Sequence, residues 1–311
     1  MKLPGGRLPW QMAALIGAVL LLALVVFRLA VFEAPRSGTP AAEAVTSAPR
    51  GTPRGRATVV SVRGEVERGK AGGAWSSVQV GQSVQADDLL RTGAHGATDL
   101  SIDGRSRVSL AESSEVSIRE LTDSVHRFRL TRGQMTAEYE ASGERVLKVE
   151  NESGDAVAET KSARFSVLST GSGIAVATAA GGVDLSAQKR TVRIFAGQQA
   201  FAARGVVPMQ PTPVPTAVLL KVGNALASES ETLCAEIEGT ASAGSEVKVD
   251  GQPIAVDSWG SFHQVVPRAP GKSGVRVDIR DPSGRAKTQF VPCSPTPARI
   301  DDMAIRWKEA P

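Results

Sequence analysis

Aromatic residues are scarce in this chain, at 4% of 311 residues with a single tyrosine. That leaves little material for base-stacking platforms or for the aromatic shelves on which sugars sit, so nucleic-acid and glycan recognition by stacking lose their usual basis. Histidine is equally sparse, with three residues, and there are two cysteines. No H-x-H, H-E-x-x-H or paired cysteine spacing occurs, which removes the common metal motifs, and no G-x-S-x-G offers a nucleophile elbow. The formal net charge of +4 is small for the length and implies no nucleic-acid partner. No stretch of ten residues carries a helical stripe of apolar side chains after the N-terminal segment.

One long hydrophobic run is present. "MAALIGAVLLLALVVF" carries no charge, and "LAVF" continues it beyond Arg28, so a helix over 12–32 would cross roughly 30 Å of hydrocarbon. Arg28 lies near one end, where its stem reaches the headgroups. No small-x-small site follows the run directly and no lipobox cysteine is present, so the segment is expected to be an uncleaved signal anchor rather than a removed leader. Residues 1–11 are then cytoplasmic, and 33–311 lie in the periplasm or its equivalent. Cys234 and Cys293, both in the C-terminal region, fit a disulfide made outside the cytosol; two buried thiols are the alternative.

Segment 33–57 is rich in Pro, Gly, Ala and Arg and reads as a tether. A second break, 205–216, carries "VPMQPTPVPT" and is expected to run as extended polyproline II and to hold two folded units apart. The units are 58–204 and 217–295, followed by a tail, 296–311.

Within 58–204 the apolar period is two. Leu100 and Ile102 share a face, as do Val108 and Leu110, and Val116 and Ile118, while Asp103-Gly104 sits where a two-residue hairpin turn belongs. "QMTAEYE", "RVLKVE", "RFSVL", "GIAVATA", "GVDLSA" and "TVRIFAG" continue the same grammar. The fold class is all-β, a sandwich or a short solenoid. The polar cluster of "LLRTGAHGATDLSIDGRSRVSL" is therefore scaffold: alternation sends Asp99, Ser101, Arg107 and Ser109 outward, Asp103 is used by the turn, and His95 lies in a glycine-rich loop. The other histidines, His126 and His263, have less acidic company in sequence. No catalytic, cofactor-binding or metal-ligating set emerges, and the chain is expected not to be an enzyme.

The order of elements resembles the FecR domain of bacterial envelope regulators over roughly 58–201. The resemblance is carried by "VVSVRGEVE", by "AWSSVQVGQSVQADDLLRTGAHGATDLSIDG" with its tryptophan and G-x-x-V-x-x-x-D-x-L-x-T-G core, by "FRLTRGQMTAEYE", and by "AGGVDLSAQKRTVRIFAGQQAFA". Where the family places Gly-Thr before a core phenylalanine, this chain has Ser162 and Ala163 ahead of Phe165. The resemblance implies a single-pass inner-membrane protein that reads an extracytoplasmic state in partnership with a receptor or transmembrane regulator. With about eleven residues ahead of the span, direct anti-sigma activity is not expected, and a non-enzymatic sensing or binding module is.

The second unit, with "VKVDGQPIAVDSWGSFHQVV" and "VRVDIRDPSGR", resembles bacterial immunoglobulin-like modules. Cys234 and Cys293 are expected to tie its first and last strands. Trp259, beside a turn glycine, is expected to plug the core. Met303, Ile305 and Trp307 alternate in the tail and offer an edge strand to this unit or to a partner sheet. The alternative to sensing is a structural scaffold or a cell-wall-polymer-binding role in an envelope complex.

Overall fold

The computed structural model describes residues 56–224 and 232–294. The expected membrane span at 12–32, nearly all of the tether and the tail residues Met303, Ile305 and Trp307 lie outside them. Among the described residues every regular element is a strand, and no helix is long and apolar enough to cross a membrane.

The first module joins sixteen strands into two sheets that share two members. One sheet runs, edge to edge, Thr212–Pro213, Gln198–Ala203, Gly173–Ala187, Ser162–Thr170, Val125–Glu140, Ser106–Leu110, Ala97–Ile102, Ala57–Arg63 and Ser83–Val84. The other runs Ser76–Ser77, Val66–Gly69, Leu89–Thr92, Glu115–Leu121, Val125–Glu140, Val146–Glu150, Ala156–Thr160, Gly173–Ala187 and Arg190–Phe195. Pairing is antiparallel except between Val125–Glu140 and Val146–Glu150. Alternate residues point inward, so Leu100, Ile102, Val108, Leu110, Ile118, Phe128, Leu130 and Phe165 form one buried core between the sheets. Of the two architectures compatible with the pattern, this is the sandwich.

The shared strands are long, 16 residues for Val125–Glu140 and 15 for Gly173–Ala187, and each turns a corner. Residues before Gly133 pair with Glu115–Leu121, and residues after it pair with Ser162–Thr170. Gly133 has φ +83, and a Cβ there would lie 2.4 Å from Ser114 Oγ, so the corner requires glycine. Gly181, with φ +75, sits at the corresponding bend of the second strand.

The second module has a three-stranded sheet, Leu220–Asn224, Leu233–Ala241 and Ser261–Pro267, and a four-stranded one, Gln252–Ile254, Glu246–Val249, Gly274–Arg280 and Ala286–Pro292. Ile237, Val247, Phe262, Val275, Val277 and Ile279 fill the space between. Asp250-Gly251 makes a two-residue hairpin turn with φ +49 and +81. Its counterpart at Asp103-Gly104 is instead part of a three-residue loop, because Ile102 pairs with Ser106. Cys234 and Cys293 are joined in a disulfide. It links the second strand of the module, not the first, to the end of the last strand.

Two expectations are corrected. Trp259 is 78% exposed. Asp257 Oδ1 accepts from the backbone N–H groups of Trp259 and Ser261, and the tight turn so formed carries the indole outward. The proline-rich segment is not a spacer: Thr212–Pro213 pairs with Gln198–Ala203, and Met209 N donates to Phe201 O at 2.8 Å. Proline has no N–H to give a ladder, so it takes the outermost position in that sheet.

Candidate functional site

Asp88, Thr92 and Ser114, beside the glycine-rich loop, bond backbone groups. Asp88 is buried, accepts from Gln85 N at 2.8 Å, and faces Arg68 at 3.5 Å and Lys70 at 3.7 Å. Thr92 Oγ1 donates to Ala111 O at 2.6 Å and accepts from Ser114 N at 2.9 Å. Ser114 Oγ in turn accepts from Gln134 N at 2.9 Å, which pins the corner at Gly133. Asp99 accepts from Ser61 Oγ at 2.9 Å, and Arg107 is exposed. His95 stands exposed on its loop. Asp88, Thr92 and Ser114 thereby satisfy backbone groups at strand ends and loops.

A buried network lies elsewhere. His126 is 2% exposed and shares a 3.1 Å hydrogen bond through Nδ1 with the hydroxyl of Tyr139, the chain's one tyrosine. Its Nε2 faces Asp103 Oδ2 at 3.6 Å, and Asp103 is also bonded by Arg145, which reaches Asp123. The sequence had assigned His126 little acidic company, but the hairpin carrying Asp103 folds over it. Burial, and then the Arg145 charge, pull the imidazole down to about 4, outweighing Asp103 and Asp123, which act upward. Burial pushes the Tyr139 hydroxyl up to about 12. The ring is thus a neutral structural member near pH 7.

The feature with the reach of a functional site is the junction between the modules. The turn at Asp281–Arg285 inserts against the first sheet: Pro282 O accepts from Ser166 Oγ and, at 3.5 Å, from Gln134 Nε2. Asp281 is buried and holds the turn by accepting from Arg285 N at 3.0 Å and from its guanidinium. Arg280 bonds Glu112, and Arg285 donates to Thr216 O at 3.0 Å. Beside these polar contacts, Leu168, Ala175 and Phe201 of the first module pack with Met209 and with Ala243 of the second. A cleft of about 450 Å³ runs along the junction, lined by His95 and Glu112 on one side and by Arg276, Asp278 and Lys287 on the other.

On the first module's side, Gln134 comes from the strand that turns at Gly133, and Ser166 and Leu168 come from its neighbour Ser162–Thr170. Residues 88–184 match the family model described as FecR protein. The FecR match starts at the buried Asp88 and ends within the second corner strand, so it falls inside the first module and is shorter than the resemblance read from 58–201. No curated protein matches. Two crystal structures of a putative anti-sigma factor from Parabacteroides distasonis ATCC 8503, at 1.65 Å and 2.50 Å resolution, are similar at 12% identity, each with a TM-score of 0.36. The similarity covers 40% of this chain and 59% of each of those chains.

Sequence reasoning placed the outward-facing polar residues but missed the junction. Ser166, Gln134 and Pro282 carry no motif, and the one local hint was the Asp281–Gly284 turn itself. The proposed partner-binding residues Met303, Ile305 and Trp307 lie outside the described residues.

Proposed function

We propose that this chain is a membrane-anchored, non-enzymatic sensing or binding protein of the bacterial envelope, acting in signal transduction through a FecR-like module. The observation that carries the reading is the match of residues 88–184 to the FecR family model. The apolar run at 12–32 supports an inner-membrane anchor with 33–311 in the periplasm. The second module is read as immunoglobulin-like. The reading is supported by two antiparallel sheets, one of its first, second and fifth described strands and one of its third, fourth, sixth and seventh, enclosing a common core. The partner is an envelope protein, a receptor or a transmembrane regulator, and no cofactor or nucleic acid is invoked.

A specific observation favours a second reading, a scaffold that braces an envelope complex or binds wall polymer. The two modules share a buried apolar cluster at Phe201 and a docked turn at Pro282, which suits a rigid strut. Cross-linking of tagged full-length protein in intact cells, followed by identification of what co-purifies with the membrane fraction, separates the two. A receptor or regulator is the outcome expected for sensing. Wall fragments or a stoichiometric large assembly would replace it with the scaffold.

A further inference from the structure

The solvent face of the three-stranded sheet, outside the family-matched stretch, gathers three groups with metal-binding chemistry. Glu236 and Glu238 lie on strand Leu233–Ala241, and His263 lies directly opposite Glu238 on Ser261–Pro267. Alternation places Glu236, two residues earlier, on the same face. His263 Nε2 stands 2.9 Å from Glu236 Oε1, and one ligand atom from each of the three lies within 4.8 Å of the others.

These separations suit one small cation. With metal–ligand bonds of about 2.1 Å, adjacent ligand atoms are roughly 3.0 Å apart in an octahedron and roughly 3.4 Å in a tetrahedron. The 2.9 Å contact already has the length of such an edge. All three ligand atoms lie within 4.8 Å of one another, a spread that staggered rotamers of two flexible glutamates can narrow. The backbone is fixed independently, since the buried Ile237 and Phe262 anchor the two strands from the other side of the sheet. Glu238 and His263, with Lys221, Asp257 and Ser261, line a depression of about 730 Å³ that is open to water, and Glu236 stands at its side. Among the described residues Glu238 makes no ion pair, and its carboxylate lies beside the His263 imidazole and Lys221 on this face.

We propose that Glu236, Glu238 and His263 form a site for a divalent transition-metal ion, with Zn²⁺ as the best chemical fit. An imidazole nitrogen beside two carboxylates favours Zn²⁺ over Mg²⁺ and Ca²⁺, which prefer oxygen donors throughout. Binding uses the Nε2 lone pair, with the ring proton on Nδ1. The metal replaces the His263–Glu236 hydrogen bond, and any proton on Nε2 passes to solvent.

The test is calorimetric titration of the purified full-length chain with zinc chloride, together with NMR of the imidazole resonances. The expected result is one saturable site per chain in the micromolar range, with the His263 signal shifting and those of His95 and His126 unmoved. His263→Ala and Glu238→Gln should each weaken uptake by at least about tenfold, His95→Ala should leave it unchanged, and millimolar Mg²⁺ should not compete. All three variants change exposed side chains, and circular dichroism verifies their fold. Absence of saturable uptake below about 1 mM, or uptake that His263→Ala and Glu238→Gln leave intact, overturns the proposal.

Discussion

His126 shows how a single side chain ties the fold to pH. Its folded value of about 4 lies below the ordinary 6.5, so the unfolded chain binds the proton more readily. Stability is unaffected by this group above pH 6.5 and falls as pH drops from there toward 4, by a total of about 3 kcal/mol. Urea unfolding at pH 7 and at pH 4.5 should show that loss, and His126→Phe should remove most of the difference between the two conditions. Equal pH dependence in the variant would assign the loss to other groups. At this scale the sequence was legible where neighbours decide the outcome: Asp99 and Ser109 alternate outward because the strand period is two. It was not legible at His126, whose partners Asp103 and Arg145 arrive from other elements, nor at Trp259. A glycine next to a tryptophan marks a turn but not the face the turn presents.

At the scale of elements, the period-two pattern located most strands and the glycines marked most turns. The failure is instructive. "GIAVATA" and "GVDLSA" read as two segments because glycines separate them, yet they are one continuous strand, and the strand read as "QMTAEYE" extends back through Gly133 to Val125. A glycine permits a chain reversal and a sheet-to-sheet corner equally well, and which one occurs depends on the strands that pair on either side. Gly133→Val tests the corner. The new side chain meets Ser114 at 2.4–2.5 Å and must adopt φ +83, so a loss of more than about 2 kcal/mol is expected in denaturant unfolding. A neutral result would mean that the strand bends elsewhere.

At the scale of the whole molecule, the all-β architecture was readable, whereas the contacts between the first and second cores were not. Prolines at 208–215 gave a correct local expectation of extended chain, but an extended chain either spans a gap or pairs with an edge, and Gln198–Ala203 supplied the edge. Contacts such as Ser166 to Pro282 O join residues 116 positions apart, beyond the range of any local pattern. Because Phe201 is buried among groups from the first module, the linker and the second module, Phe201→Ala should cost roughly 3–5 kcal/mol and uncouple them. Scanning calorimetry should show one transition for the parent protein and two for the variant. A single, merely lowered transition in the variant would show that the polar contacts at Pro282 suffice to keep the modules together.

The bridge between Cys234 and Cys293 has a mechanical consequence. Tension entering at residue 234 and leaving at residue 293 is carried by a covalent bond, and the strands between, from the body of Leu233–Ala241 to Ala286–Pro292, bear none of it. The 59-residue separation withholds roughly 200 Å of contour length from extension. Under load this part of the chain behaves as a short, inextensible link whose length is set by its oxidation state.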